Sequence, residues 1–269
     1  MKFDLIISDY DGTLAESGGK TIPIETIKAI KEYEKKGGKF VICTGRSFRS
    51  IKKIADECSI TGICVTMQGA VVTDLETEKP LYQKGLLIEK AVEVIKEANR
   101  KKLEFVVYIS GEMYYENDGY FAELYQSLVK IKAVKVDNII DFILKTNLPV
   151  SKISLLGEPE KMPKVIKDFN DSFKGDGVIF NSGGKILCEA VNPDFVKGEA
   201  VKFLAKHFSV PYSKIMTIGD STNDITLVKG EWHGVCVGDG ADELKKEAKE
   251  ITVPLKDNPV KYLIEKYCL

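Results

Sequence analysis

The stretch FDLIISDYDGTL, residues 3–14, decides how the rest of the chain is organised. Residues 5–7 form an unbroken apolar run, which is typical of a strand buried on both faces of a parallel sheet. The run leads into Asp9 and Asp11, and residues two apart on a strand point to the same side, about 7 Å apart. Two like charges there cost stability unless a cation or an anionic substrate's counter-ion lies between them. The Asp-Gly pair alone would also fit a simple turn.

Composition excludes several classes of protein. The 269 residues, 44% hydrophobic and 29% charged, allow one large domain or two of ordinary size with a substantial core. A net charge of −1 gives no overall field that favours nucleic acid or an anionic membrane. The six cysteines contain no C-x-x-C pair and the two histidines have no partner at ligand spacing, which argues against zinc and for reduced thiols.

The N-terminal apolar run is too short for a signal or membrane-spanning segment, so we expect a cytoplasmic protein. We expect a monomer or weak homodimer whose partner is a small-molecule phosphate ester, with no nucleic-acid or membrane partner.

Strand and helix patterns alternate over the first 83 residues in βαβαβ order, which predicts a parallel sheet with right-handed crossovers. From about residue 84 strands outnumber helices and turn residues are frequent, and the regular alternation returns after Asn192-Pro193-Asp194. We therefore predict an α/β fold. Residues 1–83 and 189–269 form a doubly wound, Rossmann-like parallel-sheet core, and residues 84–188 form an inserted α+β domain.

Ligands of open α/β sheets bind at the carboxyl ends of the strands. Four predicted strand ends carry polar residues: Asp9 with Asp11, Thr44, the loop before Lys197, and Asp220 with Asp224. Each has an ordinary structural explanation by itself: a turn for Thr44, a solvated lysine for Lys197, a favourable helix-dipole contact for Asp224. Together they are harder to dismiss, because carboxylates that converge at one edge repel each other unless they hold a hard cation. Carboxylate oxygens plus a substrate phosphate are the ligands that Mg²⁺ takes.

Other groups at this edge suit a phosphate. The hydroxyl of Thr44, the ammonium of Lys197 and backbone N–H groups beside the cation would form a pocket for three phosphate oxygens. A carboxylate aimed at phosphorus is then expected to be a nucleophile or a metal ligand.

At this point the chain resembles a known family. Asp9-Tyr10-Asp11-Gly12-Thr13 resembles the D-x-D-G-T motif of the haloacid dehalogenase superfamily, and Thr44, Lys197 and the stretch GDSTND (residues 219–224) match its other three motifs in order. The resemblance covers essentially the whole chain. The insert between Thr44 and Lys197 resembles a type II cap domain, and GDSTND together with Thr44-Gly45-Arg46 resembles the Cof-type (IIB) branch, whose members are mostly phosphatases of sugar phosphates and other small phosphate esters.

The resemblance implies a Mg²⁺-dependent phosphatase. Asp9 would attack phosphorus and become an aspartyl phosphate, and Asp11 would protonate the leaving oxygen and then take a proton from water. The ligands of Mg²⁺ would be Asp9, the main-chain carbonyl of Asp11, Asp220 and, directly or through the other ligands, Asp224. Residues that hold the phosphoryl group would be Thr44, Gly45, Lys197 and Asn223.

The cap should choose the substrate. Arg46 could meet an anionic leaving group or form an ion pair with the cap, Tyr114 could face a sugar or simply pack, and Asn117 could bind a hydroxyl or form a turn. Gln68 stands where relatives usually carry asparagine. Two alternatives stay open: a phosphomutase on sugar phosphates and a non-catalytic phospho-ligand sensor. A flavin or nicotinamide site is less well supported, because no G-x-G-x-x-G follows the first strand.

Overall fold

The structure, a computed structural model, describes residues 1–16, 21–129, 131–194 and 196–269. Contacts divide the chain into two units. The core unit comprises Met1–Arg46, Ile51–Leu81 and Val196–Leu269, and the insert unit comprises Ser47–Ser50 and Tyr82–Phe195. Within the described ranges, we find no helix with the length and apolar character needed to cross a membrane.

The strands of the described residues are β1 (Leu5–Ser8), β2 (Lys39–Cys43), β3 (Ile63–Thr66), β4 (Val71–Asp74), β5 (Pro80–Gln83), β6 (Glu104–Ile109), β7 (Glu112–Tyr115), β8 (Val134–Lys135), β9 (Val150–Leu156), β10 (Ile179–Gly184), β11 (Leu187–Val191), β12 (Ile215–Gly219), β13 (His233–Cys236) and β14 (Glu250–Ile251). The helices are α1 (Ile24–Lys35), α2 (Phe48–Cys58), α3 (Ile88–Arg100), α4 (Tyr120–Val129), α5 (Ile139–Thr146), α6 (Met162–Ser172), α7 (Lys197–Phe208), α8 (Ile225–Val228), α9 (Asp242–Glu247) and α10 (Pro259–Tyr267).

An eight-stranded sheet runs through the core unit in the order β14-β13-β12-β1-β2-β3-β4-β5. The strands from β14 to β3 are parallel to their neighbours, and β4 returns antiparallel to β3. All four residues of β1 are buried, as its unbroken apolar run predicts, because the strand lies between β2 and β12. The predicted α/β fold with a parallel-sheet core is therefore confirmed.

The insert unit contains a six-stranded sheet in the order β10-β11-β9-β6-β7-β8. Its pairs are antiparallel except for β7 with β8. Buried side chains of α3, α5 and α6 pack on one face of this sheet, against residues such as Phe105, Val107 and Ile153. The predicted boundary after residue 188 would cut β11, all five residues of which lie in this sheet. The contacts place the boundary later, between Phe195 and Val196.

Candidate active site

Two neighbouring strands bring distant carboxylates together. Asp9 follows β1 and Asp220 follows β12, and these strands pair in parallel with Ser8 opposite Ile218. The Asp9 N–H donates to the carbonyl of Ile218 at 2.9 Å and so extends the ladder to the end of the sheet. Asp9, Asp220 and Asp224 each offer a carboxylate oxygen, and these oxygens lie within 4.8 Å of one another. The convergence expected from the carboxyl-end rule is present.

Lys197 joins this cluster from the start of α7. Its side chain is fully buried, and Nζ donates to Oδ1 of Asp9 at 2.5 Å and to Oδ1 of Asp224 at 2.6 Å. Gly198 allows α7 to approach so closely, because a Cβ there would lie 2.5 Å from the carbonyl oxygen of Thr226. Lys197 is therefore a buried counter-ion and not a solvated lysine at a helix start.

Asp224 anchors the loop that carries Asp220. The residue is fully buried, and its Oδ2 accepts from the backbone N–H groups of Asp220 and Ser221 at 3.1 Å each. Since Oδ1 accepts from Lys197, both oxygens of Asp224 already have donors. The carboxylate thus fixes the Asp220 loop and Lys197 relative to each other.

Gly12 and Thr13 hold Asp220 from the other side. Thr13 Oγ1 donates to Asp220 Oδ1 at 2.9 Å. Gly12 has a φ of +81°, and a Cβ there would lie 2.3 Å from Asp220 Oδ2, so the position requires glycine on both counts. The sequence placed Gly12 and Thr13 in a motif but gave Thr13 no role. Only the contact with Asp220, more than two hundred residues away, reveals it.

The electrostatics of this cluster favour a cation. Burial raises the pKa of Asp9 to about 8, with Lys197 acting against that rise and Asp224 adding to it. Burial, and then the charge of Asp224, raise the pKa of Asp220 to about 6. Burial alone would lower the pKa of Lys197, but Asp9 and Asp224 raise it overall. Lys197 therefore stays charged while the carboxyl groups of Asp9 and Asp220 resist ionisation.

A divalent cation fits this donor set. When they are ionised, the three carboxylates carry more negative charge than the ammonium of Lys197 balances. The carboxyl groups of Asp9 and Asp220 lie within hydrogen-bonding reach of each other, an arrangement that needs a shared proton or a cation between them. Buried carboxylate oxygens are ligands for a hard ion such as Mg²⁺.

The predicted phosphate-binding residues lie around the same strand ends. Thr44 is buried directly after β2, the other neighbour of β1, and its Oγ1 accepts from the Arg46 N–H at 3.2 Å. Gly45 lies against the Gln68 side chain: a Cβ there would lie 2.5 Å from Gln68 Nε2, so the amide would have to move. Asn223 is exposed on the Asp220 loop, where its Oδ1 accepts from Ser221 Oγ at 2.5 Å.

A strained turn that sequence reasoning missed packs against these segments. Met67, Gln68 and Gly69 have φ angles of 53°, 59° and 105°, a run that non-glycine residues rarely adopt. The N–H groups of Met67 and Gln68 donate to the carbonyls of Arg46 and Thr44, at 3.1 and 3.0 Å. The turn is therefore held by the segment predicted to bind phosphate. Among the described residues, the buried Oε1 of Gln68 finds no hydrogen-bond donor.

Arg46 binds Asp11, an arrangement that sequence reasoning did not foresee. Its Nε donates to Asp11 Oδ2 at 2.8 Å and its Nη2 donates to Asp11 Oδ1 at 2.6 Å. The guanidinium also lies over the buried ring of Tyr10, 4.5 Å from the ring centre. The Asp11 side chain is thus turned toward Arg46. It is not part of the cluster of carboxylates formed by Asp9, Asp220 and Asp224.

The two predicted cap residues lie in the insert unit. Tyr114 is on β7, half-buried, with its ring 4.8 Å from that of Phe142 and packed against the core of the unit. Asn117 is exposed in the bend that follows β7. Both stay predictions as substrate contacts.

Comparison with known proteins places the chain in a family. A protein of Streptococcus pyogenes provisionally named a phosphatase is 27% identical over the whole of both chains. The 5-amino-6-(5-phospho-D-ribitylamino)uracil phosphatase of Bacillus subtilis is 25% identical, over 97% of this chain and 96% of that one.

Structure and family model agree with these relatives. A haloacid dehalogenase-like hydrolase from Bacteroides thetaiotaomicron has the same fold, with a TM-score of 0.84 at 24% identity, and the match covers 98% of this chain and 99% of that one. The family model for haloacid dehalogenase-like hydrolases matches residues 6–264, which confirms the resemblance seen in the four motifs. The chain therefore belongs to the haloacid dehalogenase-like hydrolase family.

Proposed function

We propose that this enzyme is a Mg²⁺-dependent phosphatase that hydrolyses small phosphate monoesters through an aspartyl-phosphate intermediate. The observation that carries the proposal is the cluster of Asp9, Lys197, Asp220 and Asp224 at the end of β1. It combines a buried carboxylate at a strand end, an ammonium bonded to it, and an excess of negative charge that a divalent cation would balance. The phosphatase activity attributed to the relatives supports the same reaction class.

In this proposal Asp9 attacks phosphorus and the bond from phosphorus to the ester oxygen breaks. Asp11 gives its proton to the leaving oxygen, so the alcohol departs neutral. Water then attacks the phosphorus of the aspartyl phosphate, Asp11 takes a proton from that water, and the bond between Asp9 and phosphorus breaks to release inorganic phosphate.

The other residues bind and orient the phosphoryl group. Lys197 and the Thr44 hydroxyl would donate to its oxygens, together with the Gly45 N–H and the Asn223 amide. Asp9, Asp220 and the Asp11 carbonyl would hold Mg²⁺, which when bound supplies positive charge beside the phosphoryl oxygens.

We assign Asp224 a positioning role. Its two oxygens already accept hydrogen bonds from Lys197 and from the Asp220 loop, so it orients the residues that ligate the ion.

Sugar phosphates or short phosphorylated acids such as phosphoglycolate are the proposed substrate class. The Bacillus subtilis relative is named for a phosphate ester of a ribityl chain, which supports a small polar leaving group. A panel of hexose phosphates, phosphoglycolate, pyridoxal phosphate and mononucleotides, assayed by phosphate release, tests this range.

The experiment that tests the reaction compares the wild type with Asp9→Asn on p-nitrophenyl phosphate. We expect the wild type to release phosphate with Mg²⁺, to lose activity in EDTA and to regain it when Mg²⁺ is restored. Asp9→Asn should abolish turnover and keep the circular dichroism spectrum of the wild type. Near-wild-type activity of this variant would rule out Asp9 as the nucleophile, and full activity in EDTA would remove the ion from the proposal.

A further inference from the structure

The ion pair between Arg46 and Asp11 is more constrained than an ordinary surface pair. The guanidinium donates to both carboxylate oxygens of Asp11, at 2.8 and 2.6 Å, so the two side chains meet fork to fork. The Arg46 side chain is 18% exposed and that of Asp11 32% exposed. The ring of Tyr10 supports the guanidinium from one face. Arg46 therefore presents a fixed, mostly buried cation and not a mobile one.

The main chain of Arg46 belongs to the proposed phosphate-binding segment. Its N–H donates to Thr44 Oγ1 at 3.2 Å, and its carbonyl accepts from the Met67 N–H at 3.1 Å. These contacts fix where the side chain leaves the backbone. The guanidinium accordingly lies beside the strand ends that carry Asp9 and Asp11.

This geometry conflicts with the task proposed for Asp11. A carboxyl group that exchanges a proton with the leaving oxygen, and later with water, must turn at least one oxygen toward the substrate. Both oxygens of Asp11 are engaged by Arg46. Turning one away costs the guanidinium a charge-assisted hydrogen bond at a part-buried site, a cost that another anion can offset.

A second anionic group on the substrate can be that replacement. A carboxylate matches the planar guanidinium fork as well as Asp11 does, so the exchange keeps Arg46 neutralised while it frees Asp11. Asp11, to which the guanidinium is bonded, is only two residues from Asp9 along the chain. An anion one or two carbon atoms from the ester oxygen would reach the guanidinium while the phosphoryl group lies on Asp9.

We propose that Arg46 determines specificity by exchanging Asp11 for a second anionic group on the substrate, so that the enzyme prefers phosphate esters of short hydroxy acids. This inference rests on the proposed phosphatase function and narrows its substrate class. It also assigns Arg46 a role that the sequence left open between the leaving group and the cap.

The test compares phosphoglycolate with ethyl phosphate, two esters of similar size of which only the first carries a carboxylate. We expect kcat/KM of the wild type to favour phosphoglycolate on the order of 10- to 100-fold, the value of one hydrogen-bonded charge pair. In Arg46→Gln the preference should fall to within about 3-fold, because the amide cannot replace the ionic contact. Arg46→Lys keeps the charge without the fork and should retain an intermediate preference.

A loss of folded enzyme lowers kcat/KM for both substrates by the same factor and leaves their ratio unchanged. A merely structural role of Arg46 would therefore not alter the ratio. Arg49→Gln is the matched control: Arg49 forms a more exposed ion pair with Glu112 and should keep the wild-type ratio. Equal kcat/KM of the wild type for both esters, or an unchanged ratio in Arg46→Gln, would overturn the proposal for Arg46. Absence of hydrolysis of both esters and of p-nitrophenyl phosphate would instead overturn the phosphatase function, and this inference with it.

Discussion

Replacement of Lys197 by methionine should destabilise the metal-free protein strongly. The Nζ atom lies 2.5 Å from Asp9 Oδ1 and 2.6 Å from Asp224 Oδ1, and the side chains of Lys197 and Asp224 are fully buried. Methionine has a similar length but no charge, so both carboxylates would lose a charge-assisted hydrogen bond without gaining access to water. Breaking a buried ion pair by removing one partner costs about 3–5 kcal/mol.

That loss should be visible in thermal unfolding. For a chain of this size each 1 kcal/mol lowers the midpoint by roughly 2–4 °C, so we expect a fall on the order of 10 °C in EDTA at pH 8. Circular dichroism at 222 nm gives the midpoint. Addition of Mg²⁺ should recover part of the loss, because the ion would replace the missing positive charge between the carboxylates.

Lys202→Met is the control, since it removes a lysine from the same helix. Lys202 donates to Glu199 at 2.6 Å, but its side chain is 54% exposed, so the ion pair contributes little and the midpoint should move by less than about 2 °C. Equal midpoints of the two variants would show that the buried ion pairs of Lys197 do not stabilise the folded protein.

Two further predictions concern pH and Gly12. The pKa values of Asp9 and Asp220 are raised to about 8 and about 6, so the folded metal-free protein holds protons that the unfolded chain has released. The urea midpoint in EDTA should therefore fall as pH rises from about 4 toward 8, and Asp9→Asn should flatten that dependence; a midpoint that rises over this range would contradict it. Gly12→Ala places a Cβ 2.3 Å from Asp220 Oδ2 and should lose most phosphatase activity. Gly37→Ala is the control, since Gly37 also has a positive φ (+90°) but a Cβ there would have no atom within 4 Å. This variant should lose only about 1–2 kcal/mol of stability and keep its activity. Equal activities of the two alanine variants would contradict the role given to Gly12.

The sequence was sufficient to predict the parallel sheet and the convergence of Asp9, Asp220 and Asp224, but not the direction of the Asp11 side chain. The short apolar run of β1 predicts a buried strand. Since ligands of such sheets bind at the carboxyl ends of the strands, Asp9 is expected to lie beside the residues that follow the neighbouring strands. Lys197 was assigned to the same edge of the sheet by its place after a predicted strand end, but its burial was not predictable, because a lone lysine at a helix start is usually solvated. Its burial depends on the close approach of α7 that Gly198 permits.

Other features depended on contacts that no local pattern encodes. The left-handed turn of Met67 and Gln68 is stabilised by bonds to Thr44 and Arg46, and neither residue type prefers such angles. The pair of Arg46 and Asp11 joins residues thirty-five positions apart.

Helix α5 is a segment for which local patterns were informative. In its sequence, IIDFILKT, the buried Ile139 and Ile143 are four residues apart, and both ends are recognisable. Asn138 accepts from the Asp141 N–H at the start, and Asn147 adopts a left-handed conformation at the end.

The place of β1 in the sheet has a consequence for biosynthesis. One of its two neighbours, β12, begins only at Ile215, about two hundred residues later in the chain. During translation the central strand therefore exposes an unpaired backbone edge until β12 has been made. Fragments that stop before β12 should be prone to aggregate through that edge, and the carboxylates of Asp9 and Asp220 can come together only after β12 has been made.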